Sequence, residues 1–256
     1  MLLDLKALRS AAPLAAVGLL GLLLALGVAT AAPWVRRQAT ADLLTGRLIL
    51  IDPGHGGADP GSVGSNGALE KDVVLGVSLA LAQDLRSAGA TVVLTRQDDR
   101  DLSGLAPQDP RRYRTDLYQR ATIIEALDPD LFLSIHANAY PDRSARGAQT
   151  FYRPDPAGQN RRLAGDIQHE LVAASGMVDR GISSDIRQLV LNRATMPAAT
   201  VEIGFLSNPA EERSLKDASF QRKIAWGIFL GVLRFFEEAP LPAPETAPQR
   251  GTAGAR

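Results

Sequence analysis

Along the chain, short uninterrupted apolar runs alternate with longer segments of helical period. "RLILI" at 47–51, bounded by glycines, predicts a buried strand. In "EKDVVLGVSLALAQDLRSAG", apolar residues recur at Val73, Val74, Val77, Leu81 and Leu85, which is one face of a helix that Gly89 is placed to cap. "ATVVLTR" at 90–96 predicts a second strand, and the polar stretch 97–111, with two prolines, a long loop. A helix over "RYRTDLYQRATIIEALDP", ended by Pro129, leads into a strand at "DLFLSIHAN". A strand at "AQTFYR" and an amphipathic helix at "NRRLAGDIQHELVAAS" follow, and then two more strands at "IRQLVLN" and "AATVEIGFL". Pro209 opens a helical stretch, and a last helix runs from about Phe220 to Phe236. Strands apolar on both faces, alternating with long helices, predict an α/β fold. It is a single domain with a mainly parallel central sheet of about six strands and helices on both faces.

The ends of the chain read differently. From Ala11 to Ala32 there is no charge over 22 positions, preceded by Lys6 and Arg9. At 1.5 Å per residue such a run extends about 33 Å, enough to cross a bilayer core of about 30 Å. "ATA" ending at Ala31 fits a signal-peptide cleavage site, whereas the length of the run and Trp34 beyond it fit an uncleaved membrane anchor. Both place the remainder outside the cytoplasm, secreted or membrane-held at the cell envelope. The expected organisation is therefore a targeting segment at 1–33, a linker at 34–46, a catalytic domain at 47–238 and a disordered Pro/Ala-rich tail at 239–256.

Composition narrows the chemistry. Net charge is zero, with Lys and Arg dispersed, so no nucleic-acid partner is expected. Cysteine is absent, which excludes a thiol nucleophile, thiolate metal sites and disulfides. In open α/β sheets, ligand sites lie beyond the carboxyl ends of the strands. The first strand ends at "DPGHGG" and delivers His55; "LFLSI" ends at His136, followed by Asn138; "AATVEI" carries Glu202 near its end. Glu70 opens the helix after a glycine-rich loop and so starts at the same sheet edge, although a first-turn carboxylate also has a plain role against the helix dipole. That loop lacks the Lys-Ser/Thr ending of a phosphate-binding loop, and its spacing does not fit GxGxxG. The remaining histidine, His169, lies beside Glu170 on an amphipathic helix and reads as a solvated residue.

Two neutral imidazoles and one carboxylate, with a fourth position open to water, suit a catalytic Zn²⁺. Such a metal lowers the pKa of water from 15.7 towards about 7. Glu202, near an apolar strand end, is placed as the base. Each residue alone has an ordinary structural reading; it is their convergence that points to a metal site. Asp52 either forms the turn or hydrogen-bonds a ligand imidazole, and Asn138 either contacts substrate or shapes its loop.

Four motifs, "IDPGHGGADPG", "LEKD", "FLSIHANA" and "VEIGFLSNP", resemble in order and spacing the zinc-dependent N-acetylmuramoyl-L-alanine amidases of the amidase_3 type, from about Arg47 to Phe236. The resemblance implies Zn²⁺ held by His55, Glu70 and His136, with Glu202 as the catalytic carboxylate. It implies peptidoglycan as the substrate, cut at the amide between the lactyl group of N-acetylmuramic acid and L-Ala. A lone catalytic domain behind a hydrophobic segment, with "GAQTFY" at 147–152, resembles the spore-cortex, germination-related subgroup, although Gln149 stands where many relatives carry Glu. The loop arginines Arg100, Arg111, Arg112 and Arg114 either meet stem-peptide carboxylates or are simply solvated. No wall-binding repeat and no autoinhibitory helix are evident, so targeting falls to the membrane segment or an accessory protein. Two other readings compete: a non-catalytic peptidoglycan-binding regulator on the same fold, and another zinc hydrolase of wall fragments. The intact quartet argues against the first, and product analysis separates the second.

Overall fold

The computed structural model describes residues 43–184 and 187–237. Its elements are β1 (Leu48–Pro53), α1 (Glu70–Ser87), β2 (Thr91–Leu94), α2 (Arg112–Leu127), β3 (Leu131–Asn138), β4 (Ala148–Tyr152), α3 (Gln159–Ser175), β5 (Asp179–Ser184), α4 (Leu189–Arg193), β6 (Ala198–Phe205), α5 (Pro209–Lys216) and α6 (Ala218–Glu237). The strands form one sheet in the order β2-β1-β3-β6-β4-β5. β1 runs parallel to β2 and β3, and β3 parallel to β6. β4 is antiparallel to β6 and parallel to β5. A six-stranded, mostly parallel sheet is thus what the apolar runs predicted.

Strand alternation divides the core. Ile49 and Ile51 of β1 face a large cluster with Val77 and Leu81 of α1, Ile167 of α3 and Ile228 of α6. Leu50 points the other way, to a smaller cluster with Phe132, Ile124 of α2 and Leu191 of α4. Helices therefore cover both faces.

One predicted strand is corrected. "IRQLVLN" contributes a short helix, α4, and the sixth strand is β5, "DRGISS". A brief apolar run does not distinguish a strand from a buried helical turn. Both edges of β6 are already taken by β3 and β4, so the run packs Leu191 on the smaller core cluster instead. β5 escaped notice because it is an edge strand, partly exposed along its length, and needs no apolar alternation.

The hydrophobic run 11–32 and the tail 239–256 lie outside the described residues. Among the described residues no helix is long and apolar enough to cross a membrane. Leu43 and Leu44, the latter fully buried, pack on the large core cluster, and Arg47 stacks over Phe236 of α6 at 5.0 Å. The chain thus enters at the amino end of β1. The carboxyl ends of the strands lie roughly 20 Å away at 3.3 Å per residue.

Candidate metal centre

β1 runs directly into the turn that carries His55. Its backbone is left-handed, with φ of 60°, a conformation that costs a non-glycine residue energy unless its surroundings hold it. Two buried guanidiniums hold it: Arg120 Nη2 donates to the His55 carbonyl at 2.6 Å, and Arg96 Nη2 to that of Gly54 at 2.7 Å. The imidazole is oriented as well. Its Nδ1 lies 2.8 Å from Asp59 Oδ2, and Asp59 is itself fixed by the Gly61 N–H at 3.1 Å. His55 Nε2 is thereby aimed at Glu70 Oε1, 3.1 Å away.

Glu70 is the first residue of α1 and is 3% exposed. Its Oε2 accepts from the Ser62 N–H at 2.8 Å, while Oε1 faces His136 Nδ1 at 2.9 Å and the Ala137 N–H at 3.0 Å. The preceding glycine-rich loop is pinned from α5. The fully buried carboxylate of Glu212 accepts from the N–H of Asn66 at 2.8 Å, the N–H of Ala68 at 3.1 Å and Ser65 Oγ at 3.0 Å.

His136 follows from strand alternation: Ile135 and Ala137 are buried, whereas His136 and Asn138 turn to the opposite side. The register with β6 slips between His136, which pairs with Glu202, and Asn138, which pairs with Phe205. A bulge at this point re-aims side chains at the strand ends. The His136 ring lies directly on the Cα of Gly54, where an added Cβ would fall 2.3 Å from Cε1.

The donor atoms of His55, Glu70 and His136 all lie within 4.8 Å of one another. The two rings meet edge to face, with centroids 5.0 Å apart. Burial alone would lower the His55 pKa, but the hydrogen bonds and charges of Asp59 and Glu70 outweigh it and raise it to about 9. Burial would raise that of Glu70; the two imidazoles instead hold it well below the usual carboxylate range. A divalent metal fits this set, since two imidazoles and a carboxylate crowd one point with a carboxylate orienting the first ring. Ligation takes the neutral imidazole and so displaces the His55 proton.

Glu202 stands beside this cluster without belonging to it. Its Oε2 is buried and has no hydrogen-bond partner. Burial, reinforced by the Glu70 charge and only partly offset by the histidines, pushes its pKa up to about 7. Its antiparallel neighbour on β4 is Gln149.

A cavity of about 680 Å³ opens over these residues. Asn138, Tyr113, Leu117, Gln188 and Leu189 form part of its wall. Asp52 also borders the cavity but contacts neither imidazole. It accepts from Thr95 Oγ1 at 2.6 Å, Arg120 Nη1 at 2.5 Å and Ser134 Oγ at 3.1 Å. The imidazole partner expected of Asp52 is Asp59. The physical reason is that Asp52 sits in the strand and faces a buried guanidinium, whereas Asp59 lies in the loop that folds back on the ring.

Three of the loop arginines are paired locally, Arg100 with Asp98, Arg111 with Asp109 and Arg112 with Asp101, while Arg114 stacks on Tyr118. His169 is exposed on α3, as its amphipathic setting implied.

Sequence reasoning missed Asp59, Arg96 and Arg120. For Arg120 a signal existed: Asp116, Arg120 and Ile124 share one helical stripe, and all three are buried. A charged pair on a core-facing stripe has something to hold. Arg120 joins Asp116 (2.7 Å) to Asp52 and to the carbonyls of Pro53 and His55. Arg120→Met strands two buried carboxylates and should cost about 3–5 kcal/mol. In a domain of this size that lowers Tm by roughly 10 °C, measurable by calorimetry.

Residues 49–234 match the family described as Amidase_3, N-acetylmuramoyl-L-alanine amidase. The chain is 40% identical over 199 residues to the germination-specific N-acetylmuramoyl-L-alanine amidase of Bacillus subtilis, covering 76% of this chain and 82% of that protein. Among solved structures, the fold is similar to the CwlD amidase of Clostridioides difficile, determined in complex with the GerS lipoprotein. The TM-score is 0.71 at 34% identity, over 75% of this chain and 98% of that one. An N-acetylmuramoyl-L-alanine amidase of Clostridium difficile 630 superposes with a TM-score of 0.67 at 32% identity, over 76% of this chain and 98% of its own.

Proposed function

This chain belongs to the Amidase_3 family of N-acetylmuramoyl-L-alanine amidases, and from that premise we propose that its cluster of His55, Glu70 and His136 holds a zinc ion. The chain is an amidase of peptidoglycan. The bond cut joins the lactyl carbonyl of N-acetylmuramic acid to the amine of L-alanine. The observation that carries the zinc reading is the three-donor cluster beside the unpartnered, buried Oε2 of Glu202.

A bound zinc ion would supply Lewis acidity, polarising the scissile carbonyl and acidifying water. The chain's own groups do the rest. Asp59 keeps Nε2 of His55 facing the cluster, and the Ala137 and Ser62 amides keep the Glu70 carboxylate turned inward. Burial holds the Glu202 carboxyl above the usual carboxylate range, which suits a group that both takes up and gives back a proton. Its ionised oxygen takes the proton of the attacking water as the new C–O bond forms, and returns it to the nitrogen as the C–N bond breaks. The products are a free carboxylic acid on the muramyl side and a free L-Ala amine.

The similarity to a germination-specific enzyme supports spore-cortex peptidoglycan as the wall in question. The similar amidase solved with a lipoprotein supports an accessory protein of that kind here. An uncleaved segment at 1–33 would tether the domain to the membrane from the amino-end side of β1.

The test is digestion of defined wall fragments by the purified full chain, read by mass spectrometry. Chelation should abolish release of peptides bearing a free L-Ala amine, and added zinc should restore it. Acetate release from the sugars would make the enzyme a deacetylase instead, and activity untouched by chelation would remove the metal.

A further inference from the structure

The two ligand-bearing segments, the His55 turn and the start of α1, are separated by the glycine-rich loop; Lys71 Nζ reaches from α1 to the Gly57 carbonyl at 2.8 Å, but no backbone hydrogen bond joins the two segments at the ligands themselves. Arg96 joins them. It follows β2, is fully buried, and its four hydrogen bonds all run to backbone carbonyls. Nε donates to Pro53 at 3.0 Å, and Nη2 to Gly54 at 2.7 Å and Lys71 at 2.8 Å. Nη1 donates to Asp98 at 3.1 Å. Gly54 directly precedes His55, and Lys71 directly follows Glu70. One planar, rigid fork therefore sets the separation of the two chain segments that present those ligands.

We propose that Arg96 is a positioning residue for the metal centre, a staple that fixes the spacing of His55 and Glu70 through the carbonyls of Gly54 and Lys71. Several features distinguish this from mere burial of a cation. The guanidinium forms no ion pair among the described residues; its partners are the carbonyls flanking two ligands. Arg120, by contrast, is anchored on Asp52 and Asp116 and grips only the His55 side. Gly56 closes over the stem, since a Cβ there would lie 2.9 Å from Arg96 Cδ. Lysine offers one ammonium in place of the fork and spans fewer of the four carbonyls.

The inference rests on the zinc reading above, and the experiment separates the two. Zinc affinity is measured by chelator competition on the full chain in detergent, for the parent, R96K and R96Q, at a temperature where circular dichroism shows each folded. R96Q should bind zinc about 10–100-fold more weakly than the parent, the range seen when an outer partner of a metal ligand is lost, with R96K between. Cobalt substituted for zinc should show an altered visible spectrum in R96Q. A folded R96Q with a zinc Kd within twofold of the parent overturns the proposal, even if its Tm is lower.

A second measurement needs no variant. If Arg96 is coupled to the metal, then by reciprocity zinc added to the parent slows amide exchange at 96–98 together with 54–57 and 70–73. Protection of the last two segments without the first also overturns it. A parent that binds no zinc defeats the metal reading and this inference with it.

Discussion

Glu202→Gln is expected to lower kcat by about 10²–10⁴-fold, the usual contribution of a positioned general acid–base, while the zinc content stays that of the parent. Glutamine matches glutamate in shape but does not shuttle a proton. The three clustered donors belong to other residues, so a neutral amide at 202 leaves them in place. It also removes a buried negative charge close to that of Glu70, which was raising the Glu202 pKa. The folded state should therefore be no less stable, and the loss should fall on turnover. The measurements are metal content after dialysis and single-turnover cleavage of a muramyl peptide, with His55→Ala as comparison. His55→Ala should lose zinc; equal zinc loss in both variants would make Glu202 a ligand.

The four residues of the proposed site were legible because each stands where an element begins or ends. His55 and His136 follow uninterrupted apolar runs, Glu202 sits near the end of another, and Glu70 opens a helix of clear period. The rule that chemistry gathers at the carboxyl edge then brought them together without a fold in hand. What supports them was less visible. Asp59 holds the His55 ring through a loop that doubles back between Gly56 and Asp59, a tertiary event that local pattern does not encode. Arg96 reads as the polar end of a strand, and only its four carbonyl acceptors reveal its role. α4 was read as a strand, and β5 was missed, for a related reason. Sheet edges decide which apolar runs become strands, and those edges are fixed by strands distant in sequence.

Gly54→Ala should be nearly as damaging, although it adds a single methyl group. That methyl would fall 2.3 Å from Cε1 of His136, 2.6 Å from Nε2 and 2.7 Å from Nδ1. Carbon atoms in contact prefer about 3.5–4.0 Å, so something must move by more than an ångström. The backbone of Gly54 is held on both sides: its N–H donates to the Ile135 carbonyl at 3.0 Å, and its own carbonyl accepts from Arg96 at 2.7 Å. The imidazole is therefore the part that yields, and its Nδ1 leaves the 2.9 Å approach to Glu70 Oε1. Misplacing a reacting group by about 1 Å costs on the order of 10²-fold in rate, and zinc affinity should fall with it. Gly165→Ala is the matched control. It lies in α3 with nothing within 4 Å of the added Cβ, so there alanine should be neutral or stabilising by up to about 1 kcal/mol. Comparing zinc affinity and kcat for the two alanines isolates the imidazole's position from the general effect of replacing glycine. Parental zinc affinity in Gly54→Ala would mean that His136 works from some other position than against the Gly54 Cα.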